Sequence, residues 1–270
     1  MHDDISKLLQ QVDKDRWLAC LLAPEAKRAH LLALYAFNFE IARIRETVSE
    51  PGLGEIRLQF WADNIEALYA GQSPQHPIAE ALKQAIDEAG LAKQGFLNLI
   101  EARRFDLYDD PMPDMQSLEG YLGETASILF MMAAQILNGG VLREAADAAG
   151  FAGVAYGLHG LLLSAPIHAR RGQLYLPGDI LSRHGVSAAE ARSGRDSEAM
   201  RSVHQALRGH IFQRLDEARL AIAKLPREIF PAFLPLAIIK PNLNALEKAK
   251  TASQLQRQWY LWKASLLGKI

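Results

Sequence analysis

The chain has a single cysteine, Cys20, so it can close no internal disulfide and build no cysteine metal site. That favours a reducing compartment over secretion, and the default role of such a cysteine is a small buried hydrophobe. Charge of one sign is lacking as well. Thirty basic side chains (Lys+Arg 30) face 31 acidic ones for a net charge of −1, which argues against a general nucleic-acid binder, whose affinity rests on a basic excess. Near the start, Asp3, Asp4, Lys7, Asp13, Lys14 and Asp15 leave no uninterrupted apolar region, so no export signal is expected. Long apolar runs are scarce too. The most apolar window, from Ala126 to Leu137, is broken by Gln135 and falls short of the roughly 18 to 20 residues that cross a bilayer, so no membrane span is expected. Apolar–polar alternation, the mark of a half-buried strand, is nearly absent. Only Gln173-Leu174-Tyr175-Leu176, ahead of Pro177, reads as extended.

What is present is helical. Apolar residues recur with a period near 3.6 along most of the chain, and with 49% hydrophobic and 23% charged residues the composition is that of a globular protein. The expected fold class is all-α, one helical domain over 1–270, since no linker, repeat or low-complexity tract divides the chain. Helices are expected over 5–22, from Pro24 until Pro51-Gly52 stops the chain, then over about 56–71 with Ile56, Phe60, Ile65 and Leu68 inward, 77–90 and 94–108. Beyond the proline-rich connector 109–114, helices are expected over 117–137, 142–166, a short one near 179–184, a polar loop to Asp196, and a long helix over 197–224. The helix from 142 carries Gly150, Gly153, Gly157 and Gly160 at spacings of three and four, which lets a neighbour approach closely and places it at the centre.

Familiar catalytic signatures are missing. There is no C-x-x-C or H-E-x-x-H, His204 and His210 lie six apart on different helical faces, and neither a nucleophile elbow nor a glycine-rich phosphate loop follows a strand. Helical proteins without those motifs often hold their chemistry as carboxylates on facing helices. Two clusters qualify by spacing. Asp106, Asp109 and Asp110 sit at a helix end, where negative charge opposes the macrodipole and favours a solvated terminus. Glu40, Glu46 and Glu50 interleave with Arg43 and Arg45, which reads as an ion-paired face.

Three blocks together resemble the squalene/phytoene synthase family in order and spacing: Leu34-Tyr35-Ala36-Phe37-Asn38, the run from Glu55 to Asp63, and Arg171-Gly172-Gln173-Leu174-Tyr175-Leu176-Pro177 followed by Asp179. The resemblance covers roughly 12–225. It implies the isoprenoid-synthase fold, in which two D-x-x-x-D motifs on facing helices hold magnesium against prenyl diphosphates. Ionising an allylic diphosphate develops charge on the leaving group, and clustered carboxylates hold the cations that neutralise it. By register from the first block, the first motif falls on Ala42, Arg43 and Glu46, which leaves one carboxylate. By register from Tyr175, the second falls on Ser164 and His168, and the family's preceding glutamine, asparagine and arginine fall on Gly157, Gly160 and Leu163. The magnesium clamp is thus degenerate on both sides while core and turn motifs persist.

That combination resembles the family's non-catalytic branch of assembly factors for respiratory complex I, which shares Asn38-Phe39-Glu40, Val48-Ser49-Glu50 and the Leu176-Pro177 turn. The resemblance implies no catalytic residue and no cofactor, with a respiratory-complex subunit or assembly protein as partner. It also implies a place on the cytoplasmic or organelle-matrix side. Two alternatives stand beside it. One is a divergent prenyl transferase that holds Mg2+ on Glu40, Glu46, Asp106, Asp109 and Asp110; the other is a carrier for a prenyl or lipid ligand. Arg43, Arg45, Arg170 and Arg171 flank the two degenerate motifs and are candidates for a metal-free anion site.

The C-terminal segment 252–270 reads as an amphipathic helix, with Leu255, Trp259, Trp262 and Leu266 on one stripe. Either this stripe docks on the bundle, or it rests on a membrane surface with Lys248, Lys250, Arg257, Lys263 and Lys269 toward anionic headgroups.

Overall fold

A computed structural model describes residues 2–247, 250 and 252–270, and no strand occurs among them. The expected first helix is two. Asp13 ends α1 (His2–Val12) and caps α2 (Lys14–Leu21) by accepting the Arg16 backbone N–H at 3.2 Å. Then follow α3 (Glu25–Ala42) and the single turn α4 (Ile44–Thr47). The helix expected to run from Pro24 to Pro51 ends earlier, at Ala42, and Pro51 instead opens α5 (Pro51–Tyr69) in its first turn, where its missing N–H costs nothing. The inward face of α5 is Leu58, Trp61, Ile65 and Leu68; Ile56, expected inside, is 67% exposed because it lies off that 3-4-3 stripe. Next are α6 (Pro77–Ala89), closed by Gly90 at φ 62°, and α7 (Lys93–Ala102), whose last turn tightens to 3-10 geometry over Arg103–Leu107.

Downstream lie α8 (Met115–Leu122), α9 (Ile128–Asn138) and α10 (Ala146–Arg170). A π-helical turn, Gly123–Ser127, joins α8 to α9. Pro166 was expected to end α10, yet the helix passes through it to Arg170, with one intrahelical bond lost. The polar stretch before Asp196 is not all loop: after α11 (Gly178–Arg183), α12 (Ala188–Ser193) is capped by the Ser187 hydroxyl, which accepts from the Glu190 N–H at 3.1 Å. The long α13 (Glu198–Ile222), a 3-10 run over Arg227–Ile238 that accommodates Pro231 and Pro235, α14 (Ile239–Leu246) and α15 (Gln254–Leu267) complete the bundle.

Interlocking aromatics hold these helices together. The fully buried Phe37 ring of α3 stands edge-on to Trp61 of α5 at 5.5 Å and to Phe96 of α7 at 5.4 Å. Phe130 of α9 stacks on Phe233 at 5.9 Å. α10 runs through the middle, and Gly153 and Gly157, though not Gly150 or Gly160, do what their spacing suggests. A Cβ at Gly153 would stand 2.2 Å from Ser127 Cα, and one at Gly157 would stand 2.6 Å from Leu122 Cδ2.

The expectation of no membrane-length helix needs correcting. The π-helical turn lets α8 and α9 run on as one helix, Met115–Asn138, and this helix, Arg143–Arg170 and Arg227–Leu246 are each long and apolar enough to cross a bilayer by length and composition. Of their apolar windows, 56%, 50% and 61% are buried inside the bundle, so much of that apolar surface packs on protein.

α15 docks through Leu261 and Ala264, and Arg257 Nη1 holds Asp15 Oδ2 at 2.6 Å. The stripe noted in the sequence does not dock. Leu255, Trp259, Trp262 and Leu266 are 77%, 57%, 49% and 62% exposed, and the two indoles stack on each other at 5.3 Å. Lys248, counted with this helix's cations, lies outside the described residues.

Candidate functional site

The first degenerate motif and the residues that follow the second come together at one end of the bundle. The chain leaving α3 presents Glu46, the chain leaving α10 presents Arg171, and Glu46 Oε1 accepts from Arg171 Nη1 at 2.7 Å across 125 residues of sequence. Beside this pair, Arg45 Nη2 reaches Asp109 Oδ1 at 3.4 Å, and Arg192 donates to the carbonyls of Gly172 (3.0 Å) and Asp109 (3.2 Å). His168 is half-buried with its ring 4.7 Å from that of Tyr175. Burial lowers its pKa, Asp106 and Glu46 pull the other way, and Arg171 adds to the lowering. Ser164 is half-buried and makes no side-chain hydrogen bond among the described residues, and Ala42 closes α3.

Asp106 has a different surrounding. Its Oδ2 takes Arg103 Nη1 at 3.0 Å, and its Oδ1 accepts the Tyr121 hydroxyl at 2.7 Å and the Tyr175 hydroxyl at 2.8 Å. Gln173 Nε2 donates to its carbonyl at 3.3 Å. Burial works against the Arg103 charge, but Tyr121, Asp106 and Tyr175 outweigh it and hold that pKa above its ordinary value. Burial pushes the Tyr121 and Tyr175 hydroxyls up. Both carboxylate oxygens of Asp106 are thus engaged by protein donors, and the residue is buried. This cluster ties the end of α7 to α8 and to the 173–176 segment.

The five carboxylates that could have replaced the clamp are therefore not assembled. Glu40 pairs with Arg43 at 3.2 Å, Glu46 with Arg171, Asp109 with Arg45, and Asp106 is closed by its own cluster; Asp110 lies on the exposed connector. Among the described residues no group of three or more His, Cys, Asp or Glu side chains is placed to hold a metal ion. A hard divalent cation needs several oxygens free to converge on it, and here arginines and tyrosines already occupy them. The residues present do not fit Mg2+.

Nor do the four arginines converge on an anion. Arg43, Arg45 and Arg171 are each matched by a carboxylate, and Arg170, the last residue of α10, is exposed. Arg43 borders a cavity of about 170 Å³ with Glu40, Thr47, Trp61 and His76, below the roughly 300 Å³ at which ligand sites begin. On α10, Gly157 is covered by Leu122 and Ala126, Gly160 faces open space, and Leu163 is half-buried.

Deeper between α3 and α10, what fills the space was not legible from the sequence. Arg16 is buried there, its guanidinium 5.2 Å from the Tyr35 ring and 5.0 Å from the Tyr156 ring, with Asp13 Oδ2 at 3.2 Å. The only legible signal was the three-residue spacing from Asp13. Nearby His159 Nε2 lies 3.2 Å from the Asn242 amide nitrogen, and burial lowers its pKa to about 4. The unfolded chain protonates this histidine near pH 6.5 while the folded one does not. Stability is therefore full above pH 6.5 and falls as pH drops from 6.5 toward 4, by about 3 kcal/mol at the limit. His159→Gln, followed by urea unfolding at several pH values, should flatten that fall; an unchanged slope would assign it elsewhere.

A large pocket opens on another side of α10. It measures about 1030 Å³ and is lined by α10, α13, α14 and the segments 173–176 and 194–196, with no residue before Leu161 and hence none from α3, α8 or α9. His168 and the segment 173–176, both singled out in the sequence, line it.

A helical ring around a central helix, with the ends of α3 and α10 meeting at one mouth, defines an all-α protein of the isoprenoid-synthase fold. The squalene/phytoene synthase family model matches residues 9–263, and the chain belongs to that family. The mouse protein named "NADH dehydrogenase (ubiquinone) complex I, assembly factor 6" is 32% identical over 243 residues, 90% of this chain and 72% of that one. A 15-cis-phytoene synthase from Synechocystis is 27% identical over 255 residues, 88% of this chain and 74% of its own. The fold matches that of a solved dehydrosqualene synthase with TM-score 0.85 over 98% of this chain and 95% of the other, at 17% identity.

Proposed function

We propose that this chain is a non-catalytic member of the squalene/phytoene synthase family that acts as an assembly or scaffold factor for a respiratory NADH dehydrogenase complex. The observation that carries the reading is the Glu46–Arg171 ion pair, which ties the one carboxylate left in the first motif to the arginine three residues beyond the second, where the family needs carboxylates free for cations. Prenyl-diphosphate ionisation without those cations leaves the departing diphosphate unneutralised, and a half-exposed arginine already bound to a glutamate is no substitute. Similarity to the complex I assembly factors supplies the positive half of the reading. In the organism that carries the gene, deletion should lower the amount of assembled NADH dehydrogenase complex, and re-expression of the chain should restore it. Normal assembly in the deletion strain would refute the role.

The exposed face of α15 extends this reading to a membrane surface on the cytoplasmic or organelle-matrix side. Stacked Trp259 and Trp262 beside Leu255 and Leu266 form an aromatic-aliphatic face of the kind that settles at the water–lipid boundary, with Lys263 and Lys269 on the same terminal segment. Because Leu261 and Ala264 dock the helix, point variants test this better than truncation. The triple variant Trp259→Ser, Trp262→Ser, Leu266→Ser should keep its melting temperature within about 3 °C, since these side chains are exposed, and should no longer sediment with anionic vesicles. Vesicle binding equal to that of the unmodified chain would exclude α15 as the contact.

A further inference from the structure

We infer that the exposed face of α5 and the small cavity beside it form a docking site for a partner protein, which inserts one acidic side chain carried on an apolar segment. This rests on the assembly reading and gives the chemistry of the surface that the partner presents. Of the motif positions the cavity shares only Arg43, which is already held by Glu40 at 3.2 Å and lies over the Phe39 ring; neither Ala42 nor Glu46 lines it.

Three observations point to this partner. The first is an apolar stripe. Leu53, Ile56 and Phe60 stand at spacings of three and four and share one face of α5 with Arg57. Leu53 is 49% and Ile56 67% exposed, while Phe60, one turn beyond Ile56, is half-buried in the cavity wall. The second is size. At about 170 Å³ the cavity is below the range of small-molecule sites and on the scale of a single side chain. Its aromatic floor is fixed in place: the Trp61 ring lies 4.6 Å from that of His76 and stands edge-on to buried Phe37. Preformed pockets that take one anchoring side chain are where protein interfaces concentrate their energy. The third is charge. Arg57 donates to the Thr47 hydroxyl at 2.8 Å and meets no carboxylate among the described residues; its helix neighbours three and four positions away are Leu53, Gly54, Phe60 and Trp61. His76 Nδ1 accepts the Ile78 N–H at 3.2 Å, which leaves its Nε2–H to donate. Glu40, the only carboxylate in the wall, is taken by Arg43. The uncommitted groups of the wall are therefore donors, and a carboxylate is what they fit.

Site-directed photocrosslinking tests this in the organism that carries the gene. Ile56 is replaced in the full chain by p-benzoylphenylalanine, with Leu220 on α13, 71% exposed, as the comparison site. Irradiation should give one protein adduct from position 56 and none from position 220, and peptide mapping should place it beside an Asp or Glu flanked by apolar residues. Arg57→Glu should cut the yield at least tenfold, whereas Arg57→Lys, which keeps the charge, should retain most of it. Because Arg57 is exposed, both variants should melt within about 3 °C of the unmodified chain. No adduct, an adduct to lipid or to a second copy of this chain, or a mapped segment without an acidic residue would each overturn the inference. So would equal yields from Arg57→Glu and Arg57→Lys. The assembly role fails separately: normal complex in the deletion strain contradicts that role, whereas a deletion defect that Arg57→Glu repairs in full contradicts only the docking site.

Discussion

Gly153→Leu should lower the melting temperature by about 6–12 °C, corresponding to about 3 kcal/mol at roughly 2–4 °C per kcal/mol for a domain of this size. The reason is geometric. A Cβ at this position would sit 2.2 Å from Ser127 Cα and 2.3 Å from Ser127 N, so what must yield is backbone. That backbone belongs to the π-helical turn joining α8 to α9, and it is further pinned by the Ser127 hydroxyl, which donates to the Gly150 carbonyl at 3.0 Å. Neither helix can retreat without opening the core. Gly160, on the same helix, is the control: nothing lies within 4 Å of its would-be Cβ. Gly160→Ala should therefore be neutral or gain up to about 1 kcal/mol through helix propensity. Equal losses at the two positions in thermal melts would mean that α10 owes its glycines to something other than the Ser127 contact.

The second large effect is expected at Asp106. Asp106→Asn leaves the Arg103 guanidinium buried without its counter-charge and sets a donating amide against the Tyr121 and Tyr175 hydroxyls, at a cost of about 3–5 kcal/mol. The double variant Arg103→Met, Asp106→Leu removes both charges and should lose less than the single one, because an apolar pair of similar volume tolerates burial better than an unpaired charge. Urea unfolding of the three proteins measures this directly. The result also separates a structural role from a metal-binding one. A metal ligand replaced by asparagine would alter magnesium dependence and spare stability; a buried counter-ion does the opposite. A stable Asp106→Asn protein would reverse the assignment made for this residue.

Much of the fold was legible because helical periodicity and proline or glycine punctuation act locally. Gly90 closes the helix end that the sequence marks, and Gly153 and Gly157 of α10 are closely approached by a neighbour, as their spacing suggests. What escaped depends on tertiary contacts. The single long helix over 117–137 was legible, whereas the π-helical turn at Gly123–Ser127 inside it carries no local signature. Pro166 sits inside α10 because the flanking turns hold the helix together across one missing bond.

The site was legible in part. The resemblance located the ends of α3 and α10, and the structure brings Glu46 and Arg171 into contact there. Which arginine meets which carboxylate was not legible, because ion pairs such as Arg45–Asp109 and Arg171–Glu46 join residues far apart in sequence. Asp106 looked like a member of a solvated acidic end, yet Arg103 and two tyrosines from later elements bury it. The exposure of Trp259 and Trp262 was undecidable from spacing alone, since a stripe has the same period whether it faces a core or a solvent.

The central claim is that the scaffold of a prenyl-condensing family persists here without its cation clamp. Its most direct test is to incubate the purified chain with farnesyl or geranylgeranyl diphosphate and magnesium, and to analyse the extract by mass spectrometry beside an active family member. The account predicts no condensation product and no magnesium-dependent release of diphosphate. Squalene- or phytoene-type product formed in proportion to this protein would contradict it.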